Sequence, residues 1–173
     1  MQFNNDIKLV GTVKIISKDL SGKILEIRHG NNLVLNTGYT ALLGLISGKI
    51  AYNDYPKNII KYAQFGINGI TPLFSDAPSS EDGKLNTVSP LLAVTNFQEN
   101  NNSVTFQAVL PPHLGNSLDP DDPLVYKEVV LLMQPSTSPI TYSWFSRRCF
   151  SDLLKLDTIL FELSWTFSFY PNI

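Results

Sequence analysis

The residues of this chain that could do chemistry are few and scattered. Its two histidines are His29 and His113; the first falls at the end of an expected strand and the second in a proline-rich loop. Two histidines exclude a three-histidine zinc site, and nothing in their spacing selects carboxylates for a mixed one. Ordinary surface or loop positions account for both more simply. Asp119-Pro-Asp-Asp122 offers oxygens that calcium accepts, but it lacks the spaced Asp, the Gly and the terminal Glu of an EF-hand. It reads as a solvated turn stiffened by proline. The single cysteine, Cys149, excludes an intrachain disulfide and a cysteine-based zinc cluster. Beside Phe150 in an expected strand, it reads as a buried or half-buried thiol, and no Gly-x-Ser-x-Gly elbow supplies another nucleophile.

Hydrolysis by paired carboxylates depends on spatial pairing, which the sequence does not fix. Glu128 and Glu162 lie within expected strands and are assigned to ion pairs, with Arg147 and Arg148 as candidate partners. Arg147-Arg148 itself reads as a strand end facing a partner or a surface carboxylate. Trp144, Phe145, Trp165, Phe167 and Tyr170 could stack on sugar rings, yet their alternation places most of them inside a core. No catalytic, cofactor-binding or metal-binding residue is assigned. The expectation is a non-enzymatic chain without a cofactor.

The elements that would position these residues are mainly strands. From Ile159 to Tyr170, Ile159, Phe161, Leu163, Trp165, Phe167 and Phe169 alternate with Leu160, Glu162, Ser164, Thr166, Ser168 and Tyr170. Successive side chains of a strand point to opposite faces, so the first set forms a core ridge and the second meets water or a neighbouring subunit. Lys8 to Ile16 and Lys23 to His29 read as a hairpin around Asp19-Leu-Ser-Gly22, broken at Gly30-Asn-Asn32 before a short extended Leu33 to Leu35. Ala41, Leu42, Leu45 and Ile46 fall at helical spacing, with Thr37 a plausible N-cap and Gly48 a plausible stop. Strands follow over Ile59 to Ile67, Val88 to Phe97, Ser103 to Leu110, Tyr126 to Met133 and Tyr142 to Phe150. Polar or proline turns are expected at Gln98 to Asn102 and Gln134 to Pro139, and a connector into the final strand at Ser151 to Asp157. Long loops at 68–86 and 111–123 are candidate interaction arms. The reading is one antiparallel β-sandwich domain over 1–173, jelly-roll-like, with one short helix near the N-terminal third and 1–8 as a possible extended arm.

Composition agrees with a sizeable core: 173 residues, 43% of them hydrophobic, suffice for one domain. A net charge of −2 gives no polycationic field for nucleic acid. The first residues show no signal-peptide pattern, and no apolar run approaches the roughly 20 residues of a spanning helix, so neither export nor a membrane is expected. Only 16% of residues are charged, against roughly 25% in an average domain, which leaves neutral surface that an assembly could cover.

The order of the pieces resembles a family of tailed-bacteriophage virion proteins. Asn36-Thr-Gly38 before the helix, Tyr62-Ala-Gln-Phe-Gly66, Gly69-Ile-Thr-Pro72 and Leu85 look like its front half. Val104 to Leu110, Tyr126 to Leu132, Trp144-Phe-Ser-Arg-Arg-Cys-Phe150 and Leu163-Ser-Trp-Thr-Phe-Ser-Phe169 look like its successive strands. The resemblance implies a small structural sandwich of a tail, collar, baseplate or fibre, located in the virion, self-associating and docked on other virion proteins. A receptor- or carbohydrate-binding module is the alternative, and a hydrolase a third reading.

Overall fold

The computed structural model describes residues 7–47, 60–73, 89–100, 102–119, 121–137 and 140–171. They form β1 (Ile7–Asp19), β2 (Ile24–Val34), α1 (Asn36–Ile46), β3 (Ile60–Gly66), β4 (Leu92–Ala93), β5 (Asn96–Asn100), β6 (Ser103–Leu110), β7 (Leu124–Thr137), β8 (Ile140–Lys155) and β9 (Ile159–Pro171). The strands follow one continuous antiparallel order, β4-β3-β7-β8-β2-β1-β9-β6-β5. That order folds into two sheets, because β2 pairs with β8 only at Leu33↔Arg147 and Val34↔Ser146. The front sheet is β2-β1-β9-β6-β5 and the back sheet is β4-β3-β7-β8. The expected antiparallel sandwich is the observed architecture.

Alternation explains the front sheet. Rows of opposed residues run across it: Val13, Trp165 and Phe106 in one, Ile15, Leu163 and Ala108 in the next, Ser17, Phe161 and Leu110 in a third. Ser17 apart, these side chains meet Phe65, Val129, Leu131 and Phe145 of the back sheet in the main core. Trp165 is fully buried. Phe169, expected in the ridge, is instead 38% exposed. Its row has Leu9 on one side but lies beyond the β6 ladder, which ends at Ser103↔Ser168.

Over Val129 to Met133 the back sheet is apolar on both faces. In β7, Val129, Leu131 and Met133 enter the main core, while Val130 and Leu132 join Leu35 and Trp144 in a second cluster with Leu33, Tyr62, Leu91 and Tyr142. A strand covered on both sides reads as an unbroken apolar run, as Val129 to Met133 does.

Several boundaries differ from expectation. β2 passes straight through Gly30-Asn-Asn32, where a break was expected, because these residues still pair with β1 before the strand changes partner. Val88 to Phe97 is not one strand: β4 covers Leu92–Ala93 and β5 begins at Asn96. β5 then runs to Asn100, through the first half of the expected turn, and pairs with β6 up to Asn100↔Ser103. β7 and β8 extend to Thr137↔Ile140, so the expected Gln134 to Pro139 turn is mostly strand. β8 also absorbs most of the expected connector Ser151 to Asp157, ending at Lys155. The helix begins at Asn36 with Leu35 at the cap position and no side-chain cap. Thr37 does not cap it; its hydroxyl donates to the Trp144 carbonyl. Gly48, residues 1–6 of the proposed arm and 74–86 of the first loop lie outside the described residues. Ile7 and Lys8, the end of that arm, pair with Pro171 and Tyr170 of the same chain.

The β1–β2 turn was legible in full. Asp19 Oδ1 accepts the backbone N–H of Ser21 (2.9 Å) and Lys23 (3.0 Å) and the Ser21 hydroxyl (2.6 Å), and Gly22 takes the left-handed φ of 85°. The Ser21 hydroxyl, foremost among these donors, holds the Asp19 carboxyl below its usual pKa.

Candidate functional site

Beyond Leu33 and Val34, β2 and β8 splay apart, and the sandwich has an open mouth between them. A pocket of about 250 Å³ lies there, with Val13, Ile15 and Phe150 as its apolar part and Arg28, His29, Arg148 and Ser151 around it. Val13 and Ile15 are core residues of β1, so the pocket reaches the edge of the main core.

Side chains replace the missing ladder, in opposite directions. From β2, the Arg28 guanidinium donates to the Ser151 hydroxyl and, from Nη2, to the Asp152 carbonyl at 2.8 Å. From β8, Arg148 donates to the Asn31 carbonyl. Gly30 makes this second crossing feasible: a Cβ there would stand 2.3 Å from Arg148 Nη2. Closer to the pairing point, Asn32 donates to the Ser146 hydroxyl, which donates in turn to the Leu33 carbonyl at 2.7 Å. Charge compensation is unequal. Arg28 Nε lies 2.5 Å from Glu26, whereas Arg148 has no carboxylate partner among the described residues.

The two arginines that stand side by side in sequence have separate surroundings. Arg147 is fully buried on the other face of the back sheet, where its Nε donates to Glu128 Oε2 at 2.9 Å. Its guanidinium carbon lies 5.9 Å from the Trp144 ring centre, a cation–π contact. Arg147 is therefore not a surface strand end, while Glu128 has the ion pair expected of it. Glu162 is paired too, with Lys18 at 2.6 Å instead of an arginine. The two carboxylates lie on different sheets with different cationic partners.

Cys149 is half-buried and its thiol donates to the Ile70 carbonyl at 3.0 Å. Among the described residues no group of three or more His, Cys, Asp or Glu is placed to hold a metal. His29 stands within β2, with Lys14 opposite it on β1, instead of at a strand end. Asp119 closes its own turn, its Oδ1 accepting from the Asp121 N–H at 3.0 Å. Of the aromatic set, Trp144, Phe145, Trp165 and Phe167 are buried, leaving Tyr170 exposed.

Sequence reasoning missed Lys155. This side chain is 1% exposed, and its ammonium donates to the Pro112 carbonyl (2.6 Å), Asn116 Oδ1 (2.8 Å) and the Leu156 carbonyl (2.9 Å). Burial lowers its pKa to about 8, with Asp157 opposing the shift. Tyr126 adds a second tether, its hydroxyl donating to the Gly115 carbonyl at 2.8 Å, and burial raises its pKa. The first part of the 111–123 loop is thus anchored to the sandwich and not free to reach outward.

Among the described residues no helix is long and apolar enough to cross a membrane. Comparison with protein-family models, with curated proteins and with solved structures gives no match.

Proposed function

We propose that the chain is a non-enzymatic structural component of a phage virion, acting by self-association and by docking on neighbouring tail, neck or capsid proteins. The observation that carries the reading is the β1–β2 hairpin. Leu20 is 70% exposed, Ile24 50%, Leu25 49% and Ile27 51%, four large apolar side chains within eight residues. Leu25 and Ile27 stand two apart in β2 and so share one face, with Ile24 on the opposite one. Scattered apolar residues on a surface need no explanation, but such an adjacent exposed pair beside an exposed turn residue marks a surface that another protein covers. A second copy is the occupant proposed, since one apolar hairpin can pack on its equivalent across a two-fold axis. The resemblance of the Asn36-Thr-Gly38, Trp144 to Phe150 and Leu163 to Phe169 segments to virion proteins supports placing that assembly in a phage particle. Burial of both tryptophans argues against the sugar-stacking alternative in the form expected.

Sedimentation velocity on the full chain tests the reading, alongside Leu25→Lys combined with Ile27→Lys. The wild type is expected to associate with rising concentration and the double variant to stay monomeric with an unchanged melting curve. A chain that is monomeric at every concentration and absent from purified particles overturns the proposal.

A further inference from the structure

The mouth between β2 and β8 combines a cation lacking a carboxylate partner with a pocket that has the Phe150 ring on one side. We propose that it binds a small carboxylate carried on an apolar body, with Arg148 as the residue that receives the carboxylate.

Charge comes first. Arg28 is already engaged by Glu26, Ser151 and the Asp152 carbonyl. Arg148 has one neutral acceptor, the Asn31 carbonyl, which uses Nη1. A guanidinium carries five donors in a planar fork, so this one retains donors for an anion. It also shares its pocket with a second guanidinium, a repulsion that a bound anion relieves.

Geometry comes second. The guanidinium is seated against Gly30, where an added Cβ would displace it, and tethered to Asn31. A fork fixed before binding loses little freedom when it takes a carboxylate side-on.

The remaining surface selects the rest of the ligand. Phe150, half-buried against the main core, presents a ring and no hydrogen bond, so a hydrocarbon body gains by covering it whereas a strongly hydrated inorganic anion does not. Val13 and Ile15, 2% and 1% exposed, only close the pocket floor. The volume of about 250 Å³ suits a body of ring size and lies below the range of drug-sized sites.

The test titrates the full chain with phenylacetate, neutral phenylacetamide and inorganic phosphate, following amide and His29 ring signals by NMR. Phenylacetate is expected to saturate with a Kd on the order of 1 mM, and phenylacetamide and phosphate to bind at least about tenfold more weakly. Folded Arg148→Gln is expected to lose about tenfold or more of the phenylacetate affinity. Raising salt from about 50 to 500 mM should weaken phenylacetate severalfold and leave phenylacetamide unchanged, a readout that holds even if the variant does not fold. Acid and amide binding alike, phosphate matching phenylacetate, salt-independent binding, or a folded Arg148→Gln with wild-type affinity would each overturn the proposal.

Discussion

Glu128 and Arg147 form an ion pair that no solvent reaches: Arg147 Nη2 lies 2.7 Å from Glu128 Oε2, and both side chains are 0% exposed. The second carboxylate oxygen accepts the Asn68 N–H at 3.1 Å, so the pair also holds the chain leaving β3 against the back sheet. Such a pair is costly to break on one side, because the remaining charge stays buried. Glu128→Leu and Arg147→Met are each expected to cost about 3–5 kcal/mol, while the double variant recovers most of the loss. Urea unfolding of the four proteins in a double-mutant cycle measures this. Single variants within about 0.5 kcal/mol of wild type, the scatter of such comparisons, would sink the assignment.

Glu162 provides the contrast. Its bond to Lys18 is short, at 2.6 Å, but the two side chains are 24% and 39% exposed. Exposed pairs are screened and spend side-chain entropy on their geometry. Glu162→Gln should therefore change stability by less than about 1 kcal/mol. A larger loss, persisting in high salt, would show that the outer face of β9 is more enclosed than its exposure indicates.

The alternating strands were legible because each has one wet face and one dry face. β6 begins and ends at the expected residues, Ser103 and Leu110, and its Ala108 and Leu110 are buried. β7 has no wet face over Val129 to Met133, so alternation could not say which residues serve which core. The continuation of β8 was hidden by polar residues: Ser151, Asp152 and Lys155 read as a connector, yet Leu153 between them is buried. Lys155 could not be found from its neighbours in sequence, because two of its acceptors come from the loop at Pro112 and Asn116. The β2–β8 mouth was illegible for a related reason. Arg28 and Arg148 meet only because the strands part after two paired residues, and no local pattern encodes where a ladder stops. The Glu128–Arg147 pair was legible by residue type, but not its burial.

Gly38 is the buried residue of helix α1 and lies against the back sheet. A Cβ at this position would stand 2.3 Å from the Phe145 carbonyl oxygen, and that carbonyl already accepts the Leu35 N–H at 3.0 Å. Backbone held in this way cannot swing aside, so the helix must lift, separating Ala41 and Leu42 from the main core. Gly38→Ala should destabilise the fold by about 1–3 kcal/mol despite alanine's better helix propensity. Thermal unfolding checks it, and a variant as stable as wild type would mean that α1 is not seated on β8 as described.

Gly115 depends on conformation as well as space. Its φ is 65°, and an added Cβ would lie 2.6 Å from the Tyr126 hydroxyl, the group that donates to the Gly115 carbonyl. Gly115→Ala is expected to release the tether and cost about 1–2 kcal/mol in backbone strain, with faster amide exchange at Leu114. Unchanged exchange at that amide would show that the Tyr126 bond does not hold the loop.

Lys155 gives the chain a stability term with a definite pH sign. Its folded pKa is about 8, below the ordinary value of 10.5, so between these values the unfolded chain binds more protons than the folded one. Unfolding free energy from this group therefore rises with pH across that window. Below pH 8 the penalty for burying the ammonium is present in full; above 10.5 it has vanished. Lys155→Met, which keeps much of the packing and cannot titrate, should lack this rise. Urea unfolding of both proteins at about pH 7.5, 9 and 10.5 isolates the effect, since every other titrating group is common to the pair. The wild type is expected to gain on the variant steadily through the window. Parallel curves would mean that the three oxygens around the ammonium, at 2.6 to 2.9 Å, hold its proton as firmly as water does.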